Sequence, residues 1–248
     1  MPEAIKKDGK IVVGTDATYA PNEFLAEDGK TIQGFDIDLF NAVAARLGLK
    51  AEYVGAPFDA IIPGVQSGKY EIGVSSFTIN DERKKVANMV SYFQAGTQWA
   101  VQKGNAKGVS VEDACGKKIA VQKATVQVDD LTAKSKACTD AGKDKITIDQ
   151  YPGQDTATAA VVSGKDDAVL ADSPVVAYAV SQTGGKLELL GEIYDSAPYG
   201  YVIKQDQADF AQVVADALKA VMAEGSYQGA LIPWGVEAGA ITDPAVNP

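Results

Sequence analysis

Ser75-Ser76-Phe77-Thr78-Ile79-Asn80-Asp81-Glu82-Arg83 is the stretch around which the chain is organised. Two hydroxyls on extended backbone come first, then a third hydroxyl, a turn and a fixed positive charge. The preceding segment, Tyr70 to Ser76, reads as a strand that ends in the open. Asp81-Glu82-Arg83-Lys84-Lys85 reads as the first turns of a helix, with Asn80 or Asp81 as its cap. Arg83 therefore stands just beyond the carboxyl end of a strand, where open α/β sheets bind ligands. A guanidinium there suits a carboxylate, because its planar fork makes two parallel charge-assisted hydrogen bonds. The plain alternative is an arginine on a solvated helix face, since charged helix starts are common.

Upstream of this stretch, Lys10-Ile11-Val12-Val13-Gly14-Thr15 reads as a strand and residues 16–22 as a loop. Glu27-Asp28-Gly29-Lys30 is a turn signal. Gly34-Phe35-Asp36 opens a helix with Ile37, Phe40, Val43 and Leu47 on one face and Gly48 just past its end. Residues 51–54 are the next strand, and 58–68 a second helix with a glycine stop. This is βαβαβ, which implies a parallel sheet with right-handed crossovers.

Downstream, the apolar run from Met89 to Val101 is interrupted by Gly96 and reads as a crossing between domains, with a new strand from Trp99. A second βαβαβ follows: strands at 118–122, 145–148 and 167–170, helices at 126–137, 155–163 and 173–181. Tyr199 to Ile203 leads the chain back. Phe210, Val213, Val214, Ala217, Leu218 and Val221 share one helix face, and Ser226 to Trp234 is a last short helix. Residues 235–248, rich in Gly, Pro and Ala, read as a loosely ordered tail. The expected domains are 1–95 with 202–248, and 96–201.

The 248 residues suit two modest domains. A net charge of −10 with no basic stripe argues against a nucleic-acid partner. There is no histidine, which removes Ser-His-Asp and Cys-His catalysis and every His-based metal site. The two cysteines, Cys115 and Cys138, are too few for a structural zinc site. A disulfide between them, implying an oxidising compartment, is the expectation; two buried free thiols are the alternative. No apolar run approaches the ~20 residues of a membrane helix. The start, Met1 to Lys7, has no apolar signal core, so the chain reads either as cytosolic or as a mature form with an added Met; the second is favoured.

Taken in order and spacing, several short motifs resemble one family. They are Gly14-Thr15-Asp16-Ala17-Thr18-Tyr19-Ala20-Pro21, Gly34-Phe35-Asp36-Ile37-Asp38-Leu39, Phe58-Asp59-Ala60-Ile61-Ile62-Pro63, the Ser75 to Arg83 stretch, and Ala168-Val169-Leu170-Ala171-Asp172. Together they resemble the bacterial solute-binding proteins that serve ABC importers of polar amino acids, in particular the glutamine-binding and lysine/arginine/ornithine-binding members. The likeness runs from about Lys10 to Gly235. It implies the type II periplasmic binding protein fold: two parallel-sheet α/β lobes joined by a two-strand hinge that closes on the ligand.

The resemblance also implies a binding site. Arg83 falls where the family clamps an α-carboxylate, helped by the backbone amides of Thr125, Val126 and Gln127 at a helix start. Asp172 falls where the α-ammonium is held, with Thr78 and the Ser76 carbonyl completing that subsite. Read alone, Asp172 is equally a helix N-cap. Tyr19 and Phe58 fall where aromatic rings sandwich the ligand's side chain; core packing is their commoner fate. Asp16 falls at the far end of that slot, where it would meet an amide, ammonium or guanidinium, though it is equally a turn residue after a strand. Ser75 adds a polar contact and Gln122 lies at the pocket edge. The chain departs from the pattern at Asn22, where an aromatic commonly follows Ala-Pro, and at Ala124 and Val126, which replace a glycine-and-hydroxyl loop.

The expectation is a non-enzymatic, monomeric protein without cofactor or metal, periplasmic or extracellular, with or without a lipid anchor in its native form, that hands an amino acid to a permease. Arginine, lysine or ornithine is favoured and glutamine comes next; a carboxylate side chain would meet Asp16 as a like charge, and an apolar one would leave it unpaired. A cyclohexadienyl-dehydratase-like enzyme on the same fold would need an extra acid near the start of the helix after Asp172. That helix reads Ser173-Pro174-Val175-Val176-Ala177, which disfavours it. A sensing domain or an engineered binding scaffold is the remaining alternative.

Overall fold

The computed structural model describes residues 2–248. The chain forms two compact units: Met1–Ala17, Pro21–Ala95 and Ala197–Pro248 make unit 1, and Thr18–Ala20 with Gly96–Ser196 make unit 2.

Unit 1 begins with helix α1 (Glu3–Asp8) and strand β1 (Lys10–Thr15). Strand β2 (Thr18–Tyr19) belongs to unit 2. Two short strands, β3 (Glu23–Leu25) and β4 (Ile32–Gln33), form an antiparallel pair. Helix α2 (Phe35–Arg46), strand β5 (Lys50–Gly55), helix α3 (Phe58–Gln66), strand β6 (Ile72–Thr78) and the single turn α4 (Asp81–Lys84) follow. β1 pairs in parallel with both β5 and β6. The order β5-β1-β6 places a switch point between β1 and β6, at whose carboxyl ends Asp16 and Ser75 to Thr78 emerge.

Alternation along these strands sorts the apolar side chains onto two faces. Ile11, Val13, Ile72, Val74, Tyr201 and Ile203 pack with α2 and with helices α8 (Ala208–Ala223) and α9 (Ser226–Leu231). Val12, Phe77 and Val202 face α3 through Phe58, Ile61 and Val65.

Unit 2 repeats the scheme with strands β8 (Lys118–Gln122), β9 (Thr147–Tyr151) and β10 (Ala168–Asp172), and helices α5 (Val126–Asp140), α6 (Gln154–Val162) and α7 (Ser173–Gln182). β8 pairs in parallel with β9 and with β10. Ile119, Val121 and Leu170 face Leu131 and Cys138 of α5, while Ala120, Val169 and Ala171 face α6 and α7. Cys115 and Cys138 are joined by a disulfide.

Two long strands, β7 (Ala87–Gln102) and β11 (Leu187–Lys204), run from one unit into the other. Here the fold corrects the sequence reading. Gly96 does not break β7. A Cβ there would meet Ile193 Cγ2 at 2.6 Å and the Tyr194 carbonyl at 2.7 Å, so glycine permits a close approach to β11 within an unbroken strand. The first half of β11 was not read as a strand because its pattern is mostly exposed rather than apolar. Strand β2 lies in the stretch read as a loop and β3 was given no reading, because they are only two and three residues long.

The carboxyl-terminal tail is the other correction, since it is ordered. It lies antiparallel along the start of β7, with bridges between Val90 and Val246 and between Phe93 and Ala240. Ser91 N–H donates to the Ala245 carbonyl at 2.9 Å, and Asn247 N–H to the Met89 carbonyl at 2.7 Å. A strand edge leaves donors and acceptors that need partners, and the tail supplies them.

At the entry to α2, Gly34 has φ +133° and a Cβ would meet the Asn22 carbonyl oxygen at 2.1 Å. This close approach lets Phe35 N–H and Asp36 N–H donate to the carbonyls of Pro21 and Asn22. Gly34→Ala is expected to cost more than about 2 kcal/mol of stability, because the backbone must leave both its conformation and its contact; a denaturant melt showing less than about 0.5 kcal/mol would contradict the role. Removing the disulfide as Cys115→Ser with Cys138→Ser is expected to cost roughly 3 kcal/mol in the chain-entropy treatment, read as a melting temperature several degrees lower; an unchanged melting temperature would contradict it.

Candidate functional site

The residues singled out in the sequence fall into two groups, one at the carboxyl edge of each parallel sheet. In unit 1, Asp16 follows β1 and is 4% exposed. Its backbone N–H donates to Ser75 Oγ at 3.0 Å. Its Oδ2 accepts from Phe58 N–H, the first residue of α3, at 3.1 Å. Helix starts attract carboxylates, so α3 holds this acid in place. Asp16 is thus fixed by two elements rather than lying in a free turn.

Arg83 is not a solvated arginine. Asn80 is the cap of α4, its Oδ1 accepting from Arg83 N–H at 2.9 Å. The guanidinium Nη1 donates to the Thr78 carbonyl at 2.8 Å. Its carbon lies 5.5 Å from the Phe58 ring and 5.4 Å from the Phe77 ring, which are themselves stacked at 4.5 Å. Cation–π contact and one carbonyl bond orient the fork. Phe58 also packs in the core, the commoner fate of such a ring.

Behind Asp16 lies a polar network of which the sequence reading contained only the serines. Ser75 Oγ donates to Glu23 Oε1 at 3.0 Å. Ser76, with φ 51°, has its Oγ 3.1 Å from Glu23 Oε2 and 3.3 Å from Asp36 Oδ2, and its N–H donates to Asp36 Oδ2 at 3.1 Å. Tyr92 OH donates to the same Asp36 oxygen at 2.6 Å. Asn22, fully buried, donates from Nδ2 to Ser76 Oγ at 2.8 Å, so the residue that replaces an aromatic is wired into this network. Glu23 and Asp36 meet at the Ser76 hydroxyl, which lies within hydrogen-bond distance of one oxygen of each. Burial first, and then the neighbouring Asp36 charge, pushes the Glu23 carboxyl well up. Burial pushes Asp36 up to about 6, against the lowering effect of the Tyr92, Glu23 and Ser76 hydrogen bonds. Asp36 shares the first turn of α2 with Asp38, and only the fold shows that Asp36 is buried; Glu23 carried no signal either.

In unit 2, Asp172 ends β10 at the N-cap position of α7, yet its side chain does not cap the helix. Instead its Oδ1 accepts from Gln127 Nε2 at 2.7 Å, and Gln127 also reaches Thr97 Oγ at 3.3 Å. Asp172 N–H donates to Tyr19 OH at 3.2 Å. Tyr19 itself packs with Ala120, Val169 and Val175. Gln122 ends β8 and donates to the Pro152 carbonyl at 3.3 Å. Thr125 stands at the N-cap of α5, with its hydroxyl donating to the Gln122 carbonyl at 2.8 Å and accepting from no amide of the helix. Val126 and Gln127 therefore present first-turn backbone amides that helix geometry leaves without intrahelical partners. Ala124, just before, has φ 62°, the left-handed conformation that glycine would adopt without cost.

Chemically, the unit 1 group offers a fixed cation and a buried acceptor set, and the unit 2 group an oriented carboxylate beside a helix start. Charges of both signs on rigid strand ends suit recognition of a small charged solute. The described residues bring together Asp113, Cys115 and Cys138 as potential metal ligands, but both sulfurs are consumed by the disulfide. No helix among the described residues is long and apolar enough to cross a membrane.

Comparisons with known proteins agree with the fold. Residues 11–237 match bacterial extracellular solute-binding proteins, family 3. The arginine-binding protein ArgT of Corynebacterium glutamicum is 36% identical over 248 residues, covering 100% of this chain and 81% of that protein. Among solved structures, an ancestral arginine-binding protein bound to arginine superposes with a TM-score of 0.84 at 34% identity, covering 91% of this chain and 98% of that one. An ancestral amino acid-binding protein, a precursor of cyclohexadienyl dehydratase, gives 0.84 at 32% identity, covering 94% and 98%. With two parallel-sheet α/β units joined by two strands, and with a match along most of its length, the chain belongs to family 3 of the bacterial extracellular solute-binding proteins and is a binding protein rather than an enzyme.

Proposed function

We propose that this protein captures an L-amino acid with a cationic side chain, arginine before lysine or ornithine, and delivers it to the permease of an ABC importer. The observation that carries the reading is Asp16: a buried carboxylate held by the Phe58 amide and Ser75 at the switch point of unit 1. A guanidinium or ammonium compensates such a charge, an apolar side chain leaves it bare, and a carboxylate repels it. Names of relatives support the choice, arginine in particular.

In this reading Arg83 and the amides of Thr125, Val126 and Gln127 take the α-carboxylate. Asp172, Thr78 and the Ser76 carbonyl take the α-ammonium. Tyr19 and Phe58 hold the aliphatic stem, Asp16 and Ser75 meet the distal cation, and Gln122 lines the edge. Each charged hydrogen bond made away from water contributes roughly 1.5–3 kcal/mol. The place of work is the periplasm or cell exterior, with the permease as the membrane partner.

A thermal-shift and calorimetric panel of amino acids on ligand-free protein tests the reading. Arginine, lysine or ornithine at a hundred times the dissociation constant is expected to add about 2.7 kcal/mol of stability. A response to glutamine alone would move the assignment to an amide reader, and no response to any amino acid would sink it. Arg83→Ala is expected to weaken every amino acid by on the order of 100-fold, as the loss of about 3 kcal/mol implies; retained affinity would remove Arg83 from the carboxylate subsite. Asp16→Asn is expected to weaken arginine at least tenfold more than glutamine, and equal losses would show that Asp16 does not read charge.

A further inference from the structure

The Ser75 hydroxyl lies at a branch in the unit 1 network. It accepts from Asp16 N–H at 3.0 Å and stands 3.0 Å from Glu23 Oε1. A hydroxyl has one proton to give and two lone pairs. Which way that proton points depends on Glu23, and the surroundings of Glu23 decide it. Glu23 is 1% exposed and Asp36 is fully buried, and both meet at the Ser76 hydroxyl. Two adjoining carboxyls in a dry site do not both ionise, so one proton is shared between them.

That proton stays on the far side of Glu23 from Ser75. Glu23 Oε2 and Asp36 Oδ2 both approach the Ser76 hydroxyl, at 3.1 and 3.3 Å, so Oε2 is the oxygen that faces Asp36. Asp36 Oδ2 is the better home for charge, since it collects donors from Tyr92 OH and Ser76 N–H as well. Glu23 gives its proton in that direction. Its Oε1 is left as a pure acceptor, and the only acid proton Ser75 can meet is its own.

We propose that Glu23 is a positioning residue for ligand selectivity, which by holding the Ser75 proton leaves that hydroxyl as an acceptor only and so tunes the Asp16–Ser75 corner to side chains that donate. This rests on the proposed reading of Asp16 and Ser75 as the corner that meets the ligand's distal group. Guanidinium and ammonium carry donors and no acceptor. An amide or ureido group presents a carbonyl as well, and meets an acceptor where it needs a donor. Such a site rejects the mispaired analogue because a buried polar group is left unmatched.

Citrulline is the probe, being arginine with one nitrogen replaced by a carbonyl oxygen. Calorimetry on arginine, citrulline and glutamine is run with the wild type, Glu23→Gln and Glu23→Met. Glutamine at position 23 keeps an acceptor for Ser75 and a donor for Asp36, so the arginine-to-citrulline affinity ratio is expected to stay within about threefold of the wild type. Methionine keeps the bulk and removes the acceptor, so the Ser75 hydroxyl turns free to donate, and the ratio is expected to fall by on the order of tenfold, with citrulline losing less than arginine. A folded Glu23→Met protein with an unchanged ratio overturns the proposal. So does a Glu23→Gln ratio that falls as far as the methionine variant's, since charge rather than hydrogen-bond direction would then be at work. If Glu23→Met does not fold, Ser75→Ala removes the acceptor at its source and must compress the same ratio, an unchanged one overturning the proposal. If the wild type binds arginine and a variant shows one of these contrary ratios, this inference alone fails, whereas a wild type that binds no amino acid sinks the underlying reading with it.

Discussion

Unit 1 depends on one buried carboxylate. Asp36 stands in the first turn of α2, yet its Oδ2 takes hydrogen bonds from Ser76 on β6 and Tyr92 on β7. The side chain therefore ties a helix to two strands that are not its chain neighbours. Gly34 makes this possible by letting the chain fold back against Asn22, whose carbonyl receives the Asp36 N–H. A buried charge without such partners would cost several kcal/mol. With them, it becomes a constraint on register: β6 cannot slip by one residue without withdrawing the Ser76 amide from Asp36. The residues at the end of β6, Ser75 to Thr78, are placed by the same bond.

The two units reach similar edges by the same route. In each, the first strand of a βαβαβ run ends up between the second and the third. Parallel strands bring the following loops to one edge, and the reversal of order opens a crevice there. Unit 1 fills its edge with Asp16, Ser75 and Arg83, and unit 2 with Gln127, Thr125 and Asp172. Hydrogen bonds among these side chains cost the site little at the moment of binding, because Gln127 on Asp172 and the Thr78 carbonyl on Arg83 already hold the charged groups in one orientation.

Much of this was legible in the sequence where periodicity and punctuation agree. The helices of both βαβαβ runs end at Gly48, Gly68 and Gly164, each with φ above +70° as a helix stop requires. What was missed shares one physical cause, namely that the signal lay in tertiary contact. β7 is buried on both faces, so it shows no alternation and its glycine looks like a break. The outer half of β11 is polar and exposed, so nothing apolar marks it. The tail's composition suggests disorder, while its backbone is spoken for by the edge of β7. Among the candidate site residues, Arg83, Asp16 and Asp172 could be named only through the family resemblance, since each had an ordinary alternative reading on its own. Glu23 and Asn22 could not, because a polar residue in a short irregular strand normally faces water, and only the fold shows both to be buried.

Backbone strain marks the same edges. Ser76 and Ala124 adopt φ of 51° and 62°, values that cost a side-chain-bearing residue of order 1 kcal/mol or more. Neither lies in an exposed turn where glycine would be an easy replacement. Ser76 is 3% exposed, and in its left-handed conformation its N–H bonds Asp36 and its hydroxyl contacts Glu23, Asn22 and Asp36. Glycine there would relieve the backbone and delete the hydroxyl, so the strain is retained by three side-chain contacts. The Ala124 side chain is a methyl group. Its conformation instead turns the chain from the end of β8 into the first turn of α5, where Thr125 bonds back to Gln122. The two outliers thus have different supports, one from side-chain hydrogen bonds and one from the strand and helix on either side. An alanine carrying the left-handed cost beside the α5 amides fixes their direction more tightly than a glycine would, because it has fewer alternative conformations to visit. At that corner the chain has exchanged conformational ease for a fixed direction of the first turn of α5.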